Sequence, residues 1–348
     1  MSAQTGIEWC DSTFNPWMGC TKVSPACDHC YAERDTKRFG RVEWGAGKPR
    51  VRTSAANWKL PERWNRTQFY QCGLGCNWRG EMPKDSGGNC PVCKTPYSLF
   101  IESAKARRRV FCASLADWLD NEVPIEWLVD LLDLIRRTPN LDWLLLTKRI
   151  GNWRGRIEAA VKEIDSDEAC ELRSWLWSWL NGHPPANVWL GCTVINQAEA
   201  DRDVPKLLAV PARVRFLSIE PMLGDIRLGS WLQLSPSAAF LAGKVTPEMP
   251  AWTRIGSTRL DWIIAGGESG PHARPSHPDW YRSLRDECER AGVPFLFKQW
   301  GEWAPNWYYM EDGKTEQPGS MWIDRMGKKI AGRRLDGRTH DGFPAVQP

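Results

Sequence analysis

Seven cysteines in two groups carry the strongest chemical signal in the chain. Cys20, Cys27 and Cys30 are spaced C-x6-C-x2-C. Three soft thiolates on one short loop suit a [4Fe–4S] cluster, holding three of its irons and leaving the fourth open. An open iron can chelate the amino and carboxylate groups of S-adenosylmethionine, and reductive cleavage of the sulfonium then releases a 5′-deoxyadenosyl radical. The competing reading is a structural zinc site made of the same three cysteines with His29 or a distant fourth ligand. His29 sits between Cys27 and Cys30, where joining the same tetrahedron would strain the loop, and the odd ligand count favours the cluster. The second group reads Cys72-x3-Cys76, thirteen residues, Cys90-x2-Cys93, with Gly73 and Gly75 in its first turn. Two short cysteine pairs are the pattern of a zinc ribbon or knuckle, in which four thiolates close a tetrahedral site. A second iron–sulfur cluster is the alternative there.

The elements that must position these groups follow from the apolar runs. Arg109–Ala113, Asp142–Thr147, Val188–Thr193, Val214–Ile219, Leu260–Ala265 and Pro294–Lys298 are apolar on both faces, as buried parallel strands are. A seventh strand is expected around Phe14–Met18, just before Cys20. Between the runs, stretches such as Pro124–Arg137 and Asp279–Ala291 place apolar residues at helical spacing. This alternation predicts an α/β fold, a partial (β/α)6-7 TIM-like barrel. Residues 1–66 and 97–310 are assigned to the barrel and 67–96 to an inserted zinc-ribbon-like module. Residues 311–348 read as a C-terminal extension docked on the barrel. Polar residues gather where the strands end: Ser114 and Asp117, Thr147 to Arg149, Thr193 and Asn196, Ser218 and Glu220, Gly266 to Ser269, Lys298 and Gln299. In parallel α/β folds those ends form the active-site rim, so the set is read as one site. Individually, such residues also serve as helix caps, turn residues or ion-pair partners.

The chain has 348 residues, 42% apolar and 25% charged, which excludes a largely disordered protein. No run reaches the length of a membrane helix, and the N-terminal segment lacks the basic start and apolar core of a signal peptide. A soluble, cytoplasmic protein is therefore expected, and twelve cysteines in that setting point to metal chemistry rather than disulfides. Net charge is only +4, but Arg34–Arg66 holds ten Lys/Arg against three acids, with Trp44, Trp58 and Trp64 among them, and Lys105, Arg107, Arg108 and Arg109 form a second cluster. With Arg79, and with Arg50, Arg52 and Lys59 as test positions, these segments would suit a nucleic-acid backbone. A solvated basic face is the plainer reading. The 22 Trp are several times ordinary usage. Trp118, Trp127, Trp143, Trp189 and Trp262 lie in or beside apolar runs and read as core, while the alternation of Trp175, Trp177 and Trp179 has no explanation from sequence.

The segment from Phe14 through Cys20, Cys27 and Cys30 to Ala32 resembles the opening of the phage Gp37/Gp68 family, a radical-SAM-like group. Phe216-Leu-Ser-Ile-Glu-Pro-Met222, Ile264-Ala-Gly-Gly-Glu-Ser-Gly270, Phe297-Lys-Gln-Trp-Gly301 and Gly332-Arg-Arg-Leu-Asp-Gly-Arg338 extend the resemblance over nearly the whole chain outside the cysteine-rich insertion. Similarity to the wider radical SAM superfamily is looser. That superfamily usually spaces its cysteines C-x3-C-x2-C, with an aromatic residue before the last, whereas here the first gap is six residues and Tyr31 follows the last cysteine. Its usual Gly-Gly-Glu motif follows the second strand and binds the methionine amino group. Here Gly266-Gly267-Glu268 lies near the sixth strand, and the role is not transferred.

The resemblance implies a barrel of the radical SAM type that binds S-adenosylmethionine at its strand ends. Ser114 and Asp117 then become candidates for the amino group, and Thr193, Asn196, Ser218 and Glu220 for the ribose and carboxylate. Cys192, at a strand end, is a candidate hydrogen-atom donor, with an apolar filler as its plainer role. Lys298 and Gln299 are candidates for a phosphate or base. The leading expectation is a radical SAM enzyme acting on DNA or RNA, by lesion repair resembling the spore photoproduct lyases or by base modification. Flavodoxin or ferredoxin would serve as electron donor. The alternatives are a radical SAM enzyme on a small molecule or peptide, and a non-catalytic zinc protein that binds nucleic acid.

Overall fold

The computed structural model describes residues 5–72, 76, 78–83, 86–87, 89–94, 105–164, 170–233, 259–305 and 323–345. Each run read as a buried strand is one. The strands are β1 (Ser12–Phe14), β2 (Arg108–Cys112), β3 (Leu141–Thr147), β4 (Val188–Thr193), β5 (Val214–Ile219), β6 (Trp262–Gly266) and β7 (Phe295–Gln299). They lie in sequence order in one sheet, and every neighbouring pair is parallel. The sheet curls into a half-barrel with β1 and β7 at its two edges. The first strand corrects the expectation: Ser12–Phe14 joins the sheet, while Trp17–Met18 pairs antiparallel with Val51–Arg52. Pro16 lies between them and has no N–H to continue the ladder.

Alternate side chains face opposite ways. Phe111, Leu144, Trp189, Phe216, Trp262, Ile264 and Leu296 point inward and, with Trp9, fill the lower part of the concave side. The rings touch one another, Trp9 lying 4.5 Å from Phe111 and Trp189 lying 6.0 Å from Trp262 between centroids. Gly191 leaves room for this cluster, since a Cβ there would sit 2.3 Å from the Phe216 ring. The outward set, including Val110, Cys112, Leu145, Leu190, Cys192, Leu217 and Ile263, is covered by the helix layer.

That layer contains α2 (Ile125–Arg137), α3 (Trp153–Glu163), α4 (Cys170–Leu180), α5 (Gln197–Ala209) and α6 (Pro278–Ala291); a shorter α1 (Tyr31–Arg38) follows the cysteine loop. Helix α2 buries Leu128, Leu131, Leu132 and Ile135, one stripe at helical spacing. In α4, Trp175 and Trp179 are one turn apart with their rings at 5.8 Å, while Trp177 turns away and is exposed. The tryptophan alternation is therefore helical packing. No helix among the described residues is long and apolar enough to cross a membrane.

Two appendages flank the sheet. Phe69–Gln71, Arg79–Gly80 and Lys105–Ala106 form a small antiparallel sheet beside the cysteine-rich insertion. Arg79 holds it to the start of the barrel: its Nη2 reaches Asp11 Oδ2 at 2.9 Å and the Arg107 carbonyl at 2.7 Å, just before β1 and β2. At the other edge, the tail runs beside β7. Phe297 N donates to His340 O at 2.9 Å and Gly342 N to Phe295 O at 3.0 Å, which covers an otherwise open strand edge. Phe343 then seats on Trp262 under the Arg109 guanidinium. Residues 323–345 are thus docked, and 311–322 and 346–348 lie outside the described residues.

Candidate functional site

The C-terminal ends of the strands surround a cavity of about 550 Å³. The loop after β1 brings Cys20, Cys27 and Cys30 to its wall. Ser24 caps the short turn Pro25–Cys27, its Oγ accepting from Ala26 N at 3.0 Å, and α1 starts directly after Cys30. Tyr31 at the head of α1 donates its hydroxyl to the Ser114 carbonyl at 2.8 Å, tying the loop to the end of β2.

Cys20 lies against a buried cation. Arg149, just beyond β3, donates Nη1 to Cys20 Sγ at 3.2 Å and Nη2 to the Thr21 carbonyl at 2.6 Å. Burial pushes the Cys20 thiol up to about 12; Asp117 adds to the shift and Arg149 opposes it. Burial also raises Cys30. Lys148 lines the cavity and forms no ion pair among the described residues.

The opposite side of the loop is held from β6. Gly267 donates its N–H to Gln299 O at 2.9 Å, and a Cβ on it would fall 1.8 Å from the Trp300 carbonyl oxygen. Only glycine allows so close an approach. The turn it permits delivers Glu268, buried at 7% exposure, to Arg274, whose Nε and Nη2 donate at 2.9 and 2.6 Å. His29 Nδ1 lies 3.3 Å from the same carboxylate. Burial pushes the Glu268 carboxyl up, but the Arg274 and His29 hydrogen bonds outweigh it and hold the group below its ordinary value. Arg274 continues to the cysteine loop, donating Nη1 to Asp28 at 3.1 Å and Nη2 to the Pro25 carbonyl at 2.9 Å. Glu268 and Arg274 therefore latch the loop after β1 to the loop after β6, close to the gap between the sheet's edges.

The four insertion cysteines make a different kind of site. All four Sγ atoms lie within 4.8 Å of one another, with Cys72 and Cys93 at 3.6 Å and Cys76 and Cys90 at 3.5 Å. The group could hold one metal ion, and among the described residues no other set converges in this way. It stands at the barrel end away from the cavity.

The family model described as "Protein of unknown function (DUF5131)" matches residues 4–344. The chain belongs to the DUF5131 family. The match spans both the cysteine loop and the four-cysteine insertion. Among curated proteins and among solved structures nothing matches.

Within this DUF5131 chain, the residues singled out from sequence divide into those the fold brings to the cavity and those it does not. Ser114, Asp117, Thr193, Ser218, Glu220 and Lys298 line it with the three cysteines. Thr193 Oγ1 is buried and has no hydrogen-bond partner among the described residues. Ser218 donates to Glu220 Oε2 at 3.2 Å, and Lys298 Nζ lies 3.3 Å from Glu220 Oε1.

Asp117 is occupied. Oδ1 accepts from Leu119 N and Thr147 Oγ1, and Oδ2 from Lys148 N and Arg149 Nη1. Four donors fill a carboxylate's acceptor sites, so Asp117 organises the β2 and β3 ends and has nothing left for an ammonium group. Asn196 caps α5, its Oδ1 accepting from Glu199 N at 2.9 Å, and does not line the cavity. Cys192 faces the helix-side core, one residue out of phase with Thr193, and burial raises its thiol. It is not placed to meet a substrate in the cavity.

Four of the basic residues read as a backbone-binding surface are not free at one, whereas Arg52 and Lys59 are exposed. The Arg50 side chain is fully buried against Asp120, Arg79 is spent on Asp11, and Arg108 and Arg109 are core residues. Cations at strand starts or under loops satisfy local carboxylates and are lost to a surface. Arg149 and Glu268 belong to the strand-end set read from sequence as one site but had no individual role there, and Arg274 gave no sequence signal. Sequence reasoning also missed Glu8, whose buried Oε2 lacks a partner in the cavity wall.

Proposed function

We propose that this protein is a radical S-adenosylmethionine enzyme acting on nucleic acid, by lesion repair or base modification, and that its resemblance to the phage Gp37/Gp68 family reflects this chemistry. The observation that carries the reading is the meeting of Cys20, Cys27 and Cys30 with the polar ends of the barrel strands in one cavity. The donor set fits a [4Fe–4S] cluster. The three thiols line one wall without the close convergence of a single-ion site, as ligands of separate irons must, and His29 is turned to Glu268. When bound, the cluster supplies the electron that cleaves the sulfonium of S-adenosylmethionine to the 5′-deoxyadenosyl radical. Flavodoxin or ferredoxin is the electron donor.

The chain's own residues would do the rest. Arg149 orients Cys20 and places positive charge beside an anionic ligand set. Glu8 Oε2, Gln299 Oε1 and Thr193 Oγ1 are buried without partners, which matches a ligand rich in donors such as an ammonium group and a ribose diol. Phe111 and Leu146 in the cavity wall exclude water from a reactive carbon. For the four-cysteine group zinc is the proposed ion. A tetrahedron with metal–sulfur bonds of about 2.3 Å has edges of about 3.8 Å, close to the contacts found there.

The test is anaerobic purification and iron reconstitution, then dithionite and S-adenosylmethionine, scoring 5′-deoxyadenosine by mass spectrometry. Product that disappears in Cys27→Ala is the expected result. A colourless protein with two zinc ions and no product would make the chain a binding protein instead.

A further inference from the structure

We infer that the outer end of α1 is the landing site for single-stranded nucleic acid, with Phe39 as the base-stacking platform and Arg38 and Arg41 as phosphate contacts. This rests on the radical SAM reading above and names where its substrate lies. Of the basic residues read from sequence, Arg50, Arg79, Arg108 and Arg109 are buried or spent on local carboxylates and offer nothing to a ligand. Arg38 and Arg41, at the end of α1 and just beyond it, stay exposed.

Phe39 is 62% exposed, unusual for a phenylalanine. The Arg41 and Arg38 guanidinium carbons lie 5.0 and 5.8 Å from its ring centroid. Neither arginine forms an ion pair among the described residues, whereas neighbouring Lys37 and Arg34 are paired with Glu33 and Asp35. An exposed aromatic face beside two uncommitted arginines is the chemistry of a stacked base between phosphates. It also favours a single strand, since bases inside a duplex offer no free face.

The position suits the cavity. Tyr31 at one end of α1 lines it, and Phe39 follows the other end. Eight helical residues rise about 12 Å, roughly three to four stacked nucleotides. A cavity of about 550 Å³ has the size that encloses one drug-sized ligand. With S-adenosylmethionine inside it, a substrate must present its reacting atom from the mouth, and a strand anchored on Phe39 reaches there.

The experiment is fluorescence anisotropy of labelled 12-nucleotide single strands of DNA and RNA against the reconstituted full-length protein at several salt concentrations. Phe39→Ala is expected to weaken binding by about 5- to 150-fold. The double variant Arg38→Ala, Arg41→Ala should flatten the dependence of log K on log salt by about 1.4. Arg154→Ala, on the exposed face of α3, should bind as wild type. Wild-type protein that binds neither strand, or variants that bind as tightly as wild type, would overturn the inference. So would single-strand binding indifferent to Arg38 and Arg41 while docking of flavodoxin depends on them, which would give this face to a protein. 5′-Deoxyadenosine formation by the same samples tests the radical reading separately, because none of the three residues lines the cavity.

Discussion

Replacing Arg274 with alanine should loosen the cysteine loop while leaving the barrel folded. Two contacts from its side chain reach the loop directly, Nη2 to the Pro25 carbonyl at 2.9 Å and Nη1 to Asp28 at 3.1 Å. A hydrogen bond from a charged donor contributes about 1.5–3 kcal/mol. Arg274 keeps 29% side-chain exposure, so the lower end applies to Pro25. Asp28 is 52% exposed, and its ion pair adds at most about 0.5 kcal/mol. Together these give about 2 kcal/mol, which raises the population of the open loop by about 30-fold. Hydrogen exchange read by mass spectrometry on the metal-free protein measures this. The Cys27 and Arg34 amides, now bonded to Ser24 O and Cys30 O, should exchange about 30-fold faster, with β4 and β5 unchanged. Arg274→Lys should recover only part of the protection, since one ammonium cannot span Glu268, Asp28 and Pro25 together. Unchanged exchange in the loop, or acceleration spread evenly over the sheet, would refute the latch.

The same latch should be sensitive to acid. Glu268 is held below its ordinary value of 4.5 in the fold, so its contribution is complete above that pH and is lost as pH falls through the depressed value. Urea midpoints measured from about pH 3 to pH 7 should therefore fall less steeply in acid for Glu268→Gln than for wild type. Gly267→Ala should destabilise by about 3 kcal/mol, because the new Cβ meets a backbone carbonyl at 1.8 Å, whereas Gly155→Ala, in open space on α3, should stabilise by up to about 1 kcal/mol. Paired urea unfolding curves check both. Cys90→Ser should remove one metal equivalent per chain by elemental analysis and lower the melting temperature. 5′-Deoxyadenosine formation should persist in that variant, because the four-cysteine group lies at the barrel end away from the cavity.

Local patterns carried much of this protein in its sequence. Strands β2 to β7 were legible because a buried parallel strand is apolar on both faces, and the two cysteine groups because their ligands sit close together along the chain. β1 was displaced because Pro16 divides what read as one run. Which strand-end residues face the cavity was a different matter. Thr193 lines it and Cys192 does not, although they are adjacent. A strand that is apolar on both faces carries no mark of its phase, so only the curl of the sheet decides which alternate set lies inside. The commitments of the polar groups were equally hidden. Three of the four donors that saturate Asp117 lie 30 to 32 positions away, and Arg274 meets Pro25 across 249. A charged side chain reads the same in sequence whether it is free at a surface or spent on a distant partner. Folding alone chooses between them, because burying a charge is tolerated only where its partner arrives with it.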